Sequence, residues 1–177
     1  MANLKPGDHW IPFTLPGVDH RQHALTDFDD KQAIAVIFSC NHCPYVRAWE
    51  DRMVQIQADY AAKGVQLIAI NANDARKYPD DSFSKMKDRA EEKGFNFPYL
   101  YDETQQIARV YGAERTPEVF LFDKSGVLRY HGAIDDNFEG PDAAKHHYLR
   151  AALDAVLTSR EPDTAQTAPV GCTIKWK

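Results

Sequence analysis

The sequence predicts an α/β domain in which helices flank a central mixed β-sheet. An apolar run, Ile34–Phe38, is followed by a helical pattern and then by a second apolar run, Val65–Asn71. This β–α–β order requires a parallel strand pair joined by a right-handed crossover. Two later strand patterns flank the turn Asp123–Gly126, which predicts an antiparallel hairpin. Together these pairs indicate a mixed sheet.

The N-terminal elements are predicted to be short. Residues 1–12 read as an extended entry segment, and strands near Phe13–Leu15 and up to Leu25 flank the Pro16-Gly17 turn as a small hairpin. The next strand, Ile34–Phe38, is apolar throughout, which is typical of a central strand covered on both faces.

A helix is predicted from Pro44 to Lys63. Proline suits the first helical turn, and Gly64 supplies a stop. Apolar residues recur at helical spacing along this segment: Val46, Trp49, Met53, Ile56 and Tyr60.

The second half continues the alternation of helices and strands. A helix near residues 82–93 follows the loop 72–81, and the capping-box pattern Asp102–Gln105 predicts a short helix through Tyr111. Strands are expected at 119–122 and 127–133, and a last helix at 141–159. We therefore expect a domain over residues 1–160 and an extended C-terminal tail, 161–177, docked on it.

Composition excludes several classes of function. The 177 residues carry a net charge of −5, so nucleic acid and anionic membranes are not expected partners. No apolar run approaches the ~20 residues that span a bilayer. The segment Met1–Asp8 lacks a signal-peptide core, so we expect a cytoplasmic protein.

The segment Cys40-Asn41-His42-Cys43 is the most informative in the chain. It lies where a strand ends and a helix begins. Two thiols at this spacing can form and release a disulfide, and a helix N-terminus stabilises a thiolate. A CxxC near a βαβ pattern is typical of a thioredoxin-like redox site.

Two segments resemble the thioredoxin superfamily, and the resemblance extends over nearly the whole chain: residues 38–46 around the cysteines, and Arg115–Glu118. Residues 41–46, Tyr78–Ser82 and the terminal Gly171–Trp176 together are similar to a peroxiredoxin-like group of thioredoxin-family proteins. The N-terminal hairpin and the segment 71–101 resemble the redoxin branch of the superfamily, which includes AhpC/TSA peroxiredoxins and TlpA-like thiol–disulfide reductases. The resemblance implies a thioredoxin-like fold. It also implies a cis peptide bond at Pro117, which would leave the Thr116 backbone free to pair with a substrate strand.

We expect a thiol–disulfide oxidoreductase. Cys40, at the exposed end of the strand, is the expected attacking thiol and should be more acidic than a free cysteine. Cys43, one turn into the helix, is the expected resolving thiol and should not be acidic. Attack on a disulfide forms a mixed disulfide, and Cys43 then releases the product. The expected partners are a protein or small-molecule disulfide and a thiol reductant such as thioredoxin or glutathione, with no cofactor.

Two alternatives remain open. One is a thiol peroxidase, although the peroxiredoxin pattern Pro-x-x-x-Thr/Ser-x-x-Cys fails in either register: its proline and hydroxyl positions hold Ala33 and Ile37, or Val36 and Cys40. The other is a metal-binding chaperone of this fold. Its metal ligands would be the three cysteines Cys40, Cys43 and Cys172, together with a histidine such as His42.

Two further site residues have competing interpretations. A protonated His42 would stabilise the Cys40 thiolate, whereas a solvated His42 would have little effect. Ile174 and Trp176 suggest that the tail docks on the domain, which would bring Cys172 near the CxxC turn as a third thiol that relays or shields the disulfide. The alternative is a tail that packs for stability and carries an inert or intermolecular cysteine.

Overall fold

A computed structural model describes residues 3–177 of the protein; Met1 and Ala2, part of the predicted entry segment, lie outside the described residues. The strands are β1 Thr14–Pro16, β2 Gln22–Ala24, β3 Ala33–Ser39, β4 Val65–Asn71, β5 Tyr99–Tyr101, β6 Arg115–Thr116, β7 Glu118–Asp123, β8 Leu128–Gly132 and β9 Cys172–Thr173. The helices are α1 Pro44–Tyr60, α2 Phe83–Lys93, α3 Gln106–Tyr111 and α4 Tyr148–Leu157. Single 3-10 turns lie at Leu25–Phe28, Ala61–Lys63, Pro79–Asp81 and Pro141–Ala143.

The central sheet has five strands in the order β5-β4-β3-β7-β8. Strands β3, β4 and β5 are mutually parallel, and β7 runs antiparallel to both β3 and β8. The predicted mixed sheet is therefore confirmed. Strand β3 is buried along its whole length because it lies at the centre and is covered on both faces.

Each face of the sheet has its own hydrophobic core. On one face, α1 and α4 pack against the sheet through residues such as Trp49, Met53 and Leu153. On the other face, α3 and the N-terminal segment contribute Tyr111 and Phe13, and the tail contributes Ile174. Among the described residues, no helix is long and apolar enough to cross a membrane.

Two predicted elements need correction, and one strand is additional to the prediction. The last helix, expected at 141–159, is confined to α4, because residues 144–147 separate it from an isolated 3-10 turn at its N-terminal side. The capping box at Asp102–Gln105 does not form: Gln105 is itself the N-cap of α3, and Asp102 Oδ2 instead accepts from the Ala108 amide (2.9 Å). Strand β5, at the edge of the sheet, was not predicted.

Candidate active site

The CxxC turn and the cis-proline loop meet at one end of the sheet. The pairing of β3 with β7 brings them together, because Phe38 of β3 lies opposite Glu118 of β7. Cys40 follows Phe38 by two residues, and Thr116 precedes Glu118 by two residues. The Thr116–Pro117 bond is cis, as the resemblance implied. Thr116 lies against both thiols: its Oγ1 is 3.6 Å from Cys40 Sγ, and its carbonyl oxygen is 3.7 Å from Cys43 Sγ.

The positions of the two cysteines differ from the prediction. Cys40 was expected at an exposed strand end, but only 3% of its surface is accessible, and 1% of the surface of Cys43. Cys43 is the N-cap residue of α1 rather than a residue one turn inside it. Because Pro44 takes the first helical position, the helix starts immediately after the second cysteine.

The acidity of the two thiols is also the reverse of the prediction. Hydrogen bonds from Cys40, Cys172 and the Val46 amide at the start of α1 outweigh burial and lower the pKa of Cys43 to about 4. For Cys40, the hydrogen bond to Cys43, burial and the nearby Asp81 carboxylate raise the pKa well above the ordinary value of a cysteine. Of the two sulfurs, Cys43 is the one whose surroundings favour the thiolate form.

Asp81 is a buried carboxylate that binds the backbone of the CxxC turn, Cys40–Cys43. Its Oδ1 accepts from the Asn41 amide (2.7 Å) and from Asn71 Nδ2 (3.2 Å), and its Oδ2 accepts from Asn73 Nδ2 (2.9 Å). The Tyr99 hydroxyl donates to Asn41 Oδ1 (2.7 Å). This network fixes the backbone between the two cysteines.

His42 also faces Asp81. Its Nδ1 lies 2.6 Å from Asp81 Oδ2, but the ring is not aligned for a hydrogen bond. The His42 ring also stacks parallel to the ring of Tyr78, with 6.0 Å between the ring centroids. The side chain remains 29% exposed, so His42 is a partly solvated residue beside a buried carboxylate.

A second buried carboxylate supports the cis-proline loop. Glu118 Oε2 accepts from the amides of Glu114 (2.8 Å) and Arg115 (2.9 Å), and Glu118 Oε1 lies 2.6 Å from His131 Nε2. Glu118 thereby ties the loop that carries Thr116 to strand β8.

The C-terminal tail covers this site. Strand β9 pairs antiparallel with β6, with Cys172 opposite Thr116 and Thr173 opposite Arg115. Arg115 Nη1 donates to the Gly171 carbonyl (2.9 Å), and a Cβ atom at Gly171 would overlap the Thr116 carbonyl oxygen. Only glycine permits this close approach of the two backbones. As a result, Cys172 packs against the buried cluster that Cys40, Cys43 and Val46 form.

The tail is fastened on both sides of Cys172. On one side, the Thr167 amide donates to the His131 carbonyl (3.0 Å) along the edge of β8. On the other side, the Lys175 amide donates to Asn73 Oδ1 (2.9 Å) and its carbonyl accepts from Gln105 Nε2 (2.9 Å). These contacts hold the cysteine in place over the redox turn.

One group of side chains has the composition of a metal site. Cys40, His42 and Asp81 each offer a ligand atom, and these atoms lie within 4.8 Å of one another. This set differs from the three-cysteine set considered from the sequence, because it contains a carboxylate in place of Cys43 and Cys172. A thiolate, an imidazole and a carboxylate are ligands that Zn²⁺ accepts.

Sequence reasoning missed Asp81, Glu118 and Gly171. Asp81 lies in Tyr78–Ser82, a run of turn-forming residues that was the available sign of a site loop. Asn71 and Asn73 follow a parallel strand, and both contact Asp81. Glu118 at the start of an otherwise apolar strand was the available sign of a buried charge.

Residues 6–131 match the AhpC/TSA family. The thiol-disulfide oxidoreductase ResA of Halalkalibacterium halodurans is 23% identical over 70% of this chain, which spans 66% of that protein's length. A putative peroxiredoxin of Mycobacterium tuberculosis is 22% identical over 77% of this chain and 82% of its own.

Solved structures agree on the fold. The crystal structure of an uncharacterized conserved protein from Geobacillus kaustophilus is 42% identical, with a TM-score of 0.91, and the match covers 97% of this chain and 92% of that one. More distant thioredoxin-domain structures share the architecture, which confirms the thioredoxin-like fold. Since the family match covers more than half of the sequence and includes the CxxC turn and the cis-proline loop, the chain belongs to the AhpC/TSA family.

Proposed function

We propose that this protein is a thiol–disulfide oxidoreductase whose redox pair is Cys40 and Cys43. The observation that carries the proposal is the contact of both sulfurs with Thr116, next to a cis proline and at the start of α1. Two thiols held together at a helix N-terminus can exchange a disulfide without a cofactor. The similarity of the chain to the thiol-disulfide oxidoreductase ResA supports this class of reaction.

The acidity of the thiols suggests the order of the steps. The Cys43 thiolate attacks an external disulfide, forms a mixed disulfide and expels the first product thiolate. Cys40 then loses its proton and attacks the Cys43 sulfur, which forms the Cys40–Cys43 disulfide and expels the second thiolate. Two electrons pass from the pair to the substrate. This order exchanges the roles that the sequence alone suggested for the two cysteines.

The substrates in this proposal are protein or small-molecule disulfides. A cellular thiol reductant, such as thioredoxin or glutathione, would return the pair to the dithiol state. We propose that the protein works in a reducing cytoplasm, because thiols there would continuously reduce the Cys40–Cys43 disulfide.

The order of attack can be tested by trapping the mixed disulfide. The variants C40S/C172S and C43S/C172S each retain one cysteine and are treated with oxidised glutathione. We expect mass spectrometry to find the glutathione adduct on Cys43 of the first variant, and much less on Cys40 of the second. An adduct on Cys40 alone would restore the order inferred from the sequence. No adduct in either variant would contradict the proposed function.

A peroxidase is the second candidate, favoured by the similarity to a putative peroxiredoxin and by the acidic thiol of Cys43. However, Val36 and Cys40 occupy the positions where the peroxiredoxin pattern places proline and a hydroxyl residue, which orient the peroxide by hydrogen bonds. We therefore expect weak hydrogen peroxide consumption. Peroxide reduction near the diffusion limit that depends on Cys43 would make this the main function.

A metal-binding chaperone is the third candidate, and the cluster Cys40, His42 and Asp81 favours it. Zinc analysis of the reduced protein, with D81N as the comparison, tests this candidate. Stoichiometric zinc that D81N loses would support metal binding, and sub-stoichiometric zinc in both proteins would exclude it.

A further inference from the structure

We infer that Cys172 is a third redox thiol, which exchanges with Cys43 and carries the disulfide from the buried pair to the surface of the protein. The inference rests on the proposed function, because it assumes that Cys40 and Cys43 form a disulfide. It adds a reactive residue and a route by which an external thiol reaches the site.

The first support is geometric. Cys172 packs against the buried cluster that contains Cys40 and Cys43, so the three cysteines lie in one group of side chains. The register of the β6–β9 pair places Cys172 opposite Thr116 of the cis-proline loop. The close approach at Gly171 brings the tail strand down to the thiol. The position of Cys172 is therefore set by backbone contacts on both sides rather than by a free chain end.

The second support is access. Cys40 and Cys43 are almost completely buried, whereas Cys172 is only half-buried. While the tail is docked, an external thiol can reach Cys172 more readily than either member of the pair. Thiol–disulfide exchange requires direct attack on a sulfur atom, so the accessible sulfur determines where the reductant reacts.

The exchange balances without any added oxidant. In the oxidised protein, the Cys172 thiolate attacks the Cys43 sulfur of the Cys40–Cys43 disulfide. The Cys43–Cys172 bond forms, the Cys40–Cys43 bond breaks, and Cys40 leaves as a thiolate that takes up the proton Cys172 lost. An external thiolate then attacks Cys172 and expels Cys43. Attack by a second external thiol on the Cys172 mixed disulfide completes the reduction.

The bridge is tested in C40S, in which Cys43 has lost its partner in the pair. After treatment with oxidised glutathione, we expect Cys172 to displace glutathione from Cys43 and peptide mapping to find a Cys43–Cys172 bond within the monomer. The matched control is C40S/C172S/T173C, which moves the tail thiol by one residue. Successive strand residues point to opposite faces, so this control should keep glutathione on Cys43.

The route of electrons is tested by reducing the oxidised protein with dithiothreitol. Because exchange depends on access and on the leaving thiol, we expect C172S to be reduced about tenfold more slowly than the parent. Equal rates, or glutathione that stays on Cys43 in C40S, would overturn the inference. If C172S still cycles through Cys40–Cys43, the proposed function stands without the third thiol. If no variant forms Cys40–Cys43, the proposed function itself fails.

Discussion

Cys172 and Thr116 face each other across an antiparallel pair of strands, although one belongs to the C-terminal tail and the other to the cis-proline loop. Thr116 also contacts Cys40 through its hydroxyl group and Cys43 through its carbonyl. One threonine thereby organises three thiols. The tail occupies the position beside the loop where the resemblance implied a substrate strand.

Cys43 should be a thiolate at unusually low pH. Its charged form accepts hydrogen bonds from Cys40 and Cys172, so in the reduced protein the ultraviolet absorbance of the thiolate should persist until the pH falls through about 4. C43S should lack this transition. C40A should raise its midpoint more than C172A, because alanine removes the donated bond and the bond from Cys40 is the larger contribution. Loss of the transition in C40A but not in C43S would contradict the assignment.

Gly171→Ala should release the tail. The added Cβ would overlap the Thr116 carbonyl, and the backbone there cannot move without breaking the β6–β9 pairing. We expect faster alkylation of Cys43 by iodoacetamide and faster proteolysis within residues 168–177. Gly140→Ala is the matched control, because a Cβ there meets no atom within 4 Å. Equal alkylation rates in the two variants would mean that the tail does not shield the site.

Asp81→Asn should disturb both stability and thiol chemistry. The buried carboxylate accepts from Asn41, Asn71 and Asn73, and an amide cannot accept on both of its atoms, so we expect a loss of about 1–3 kcal/mol in the free energy of unfolding. Removing the negative charge should also lower the pKa of Cys40. Urea denaturation and thiol titration measure the two effects. The exposed neighbour Asp80 provides a control, since D80N should leave the free energy of unfolding and the pKa of Cys40 unchanged.

Glu118→Gln tests the support of the cis-proline loop. The carboxylate holds two loop amides and lies against His131, so the variant should lose about 1–3 kcal/mol of stability and slow disulfide reduction. Glu114→Gln, at an exposed position of the same loop, should behave like the parent. If E118Q destabilises the protein without slowing the reaction, Glu118 is structural only.

The parts of the fold that the sequence predicts well have strong local signals. Strands β3 and β4 are continuous apolar runs, and α2 ends at Gly94, which adopts the left-handed conformation expected of a helix stop. Strand β5 has three residues, too few for a pattern to emerge. Within 141–159, only Tyr148–Leu157 is an α-helix, because Pro141–Ala143 forms a separate 3-10 turn and residues 144–147 between them are not helical.

The candidate site shows the same division. The CxxC turn and the cis proline are contiguous motifs, so the sequence indicates them directly. The acidity of Cys43 depends on Cys172, which approaches it only through pairing of distant strands. The buried cluster around Cys40 likewise joins distant segments, because Thr116 contacts the Cys40 sulfur and Cys172 packs against the cluster. Contacts between segments far apart in the chain have no local signature.

The fastening of residues 165–177 over the redox turn also affects synthesis of the protein. Domains begin to fold from the N-terminus while the chain is still being made. The sheet, the helix α1 and both cysteines of the pair precede the tail, so they are complete before its last residues leave the ribosome. The newly made dithiol is therefore uncovered until residues 165–177 have been synthesised and have docked over it.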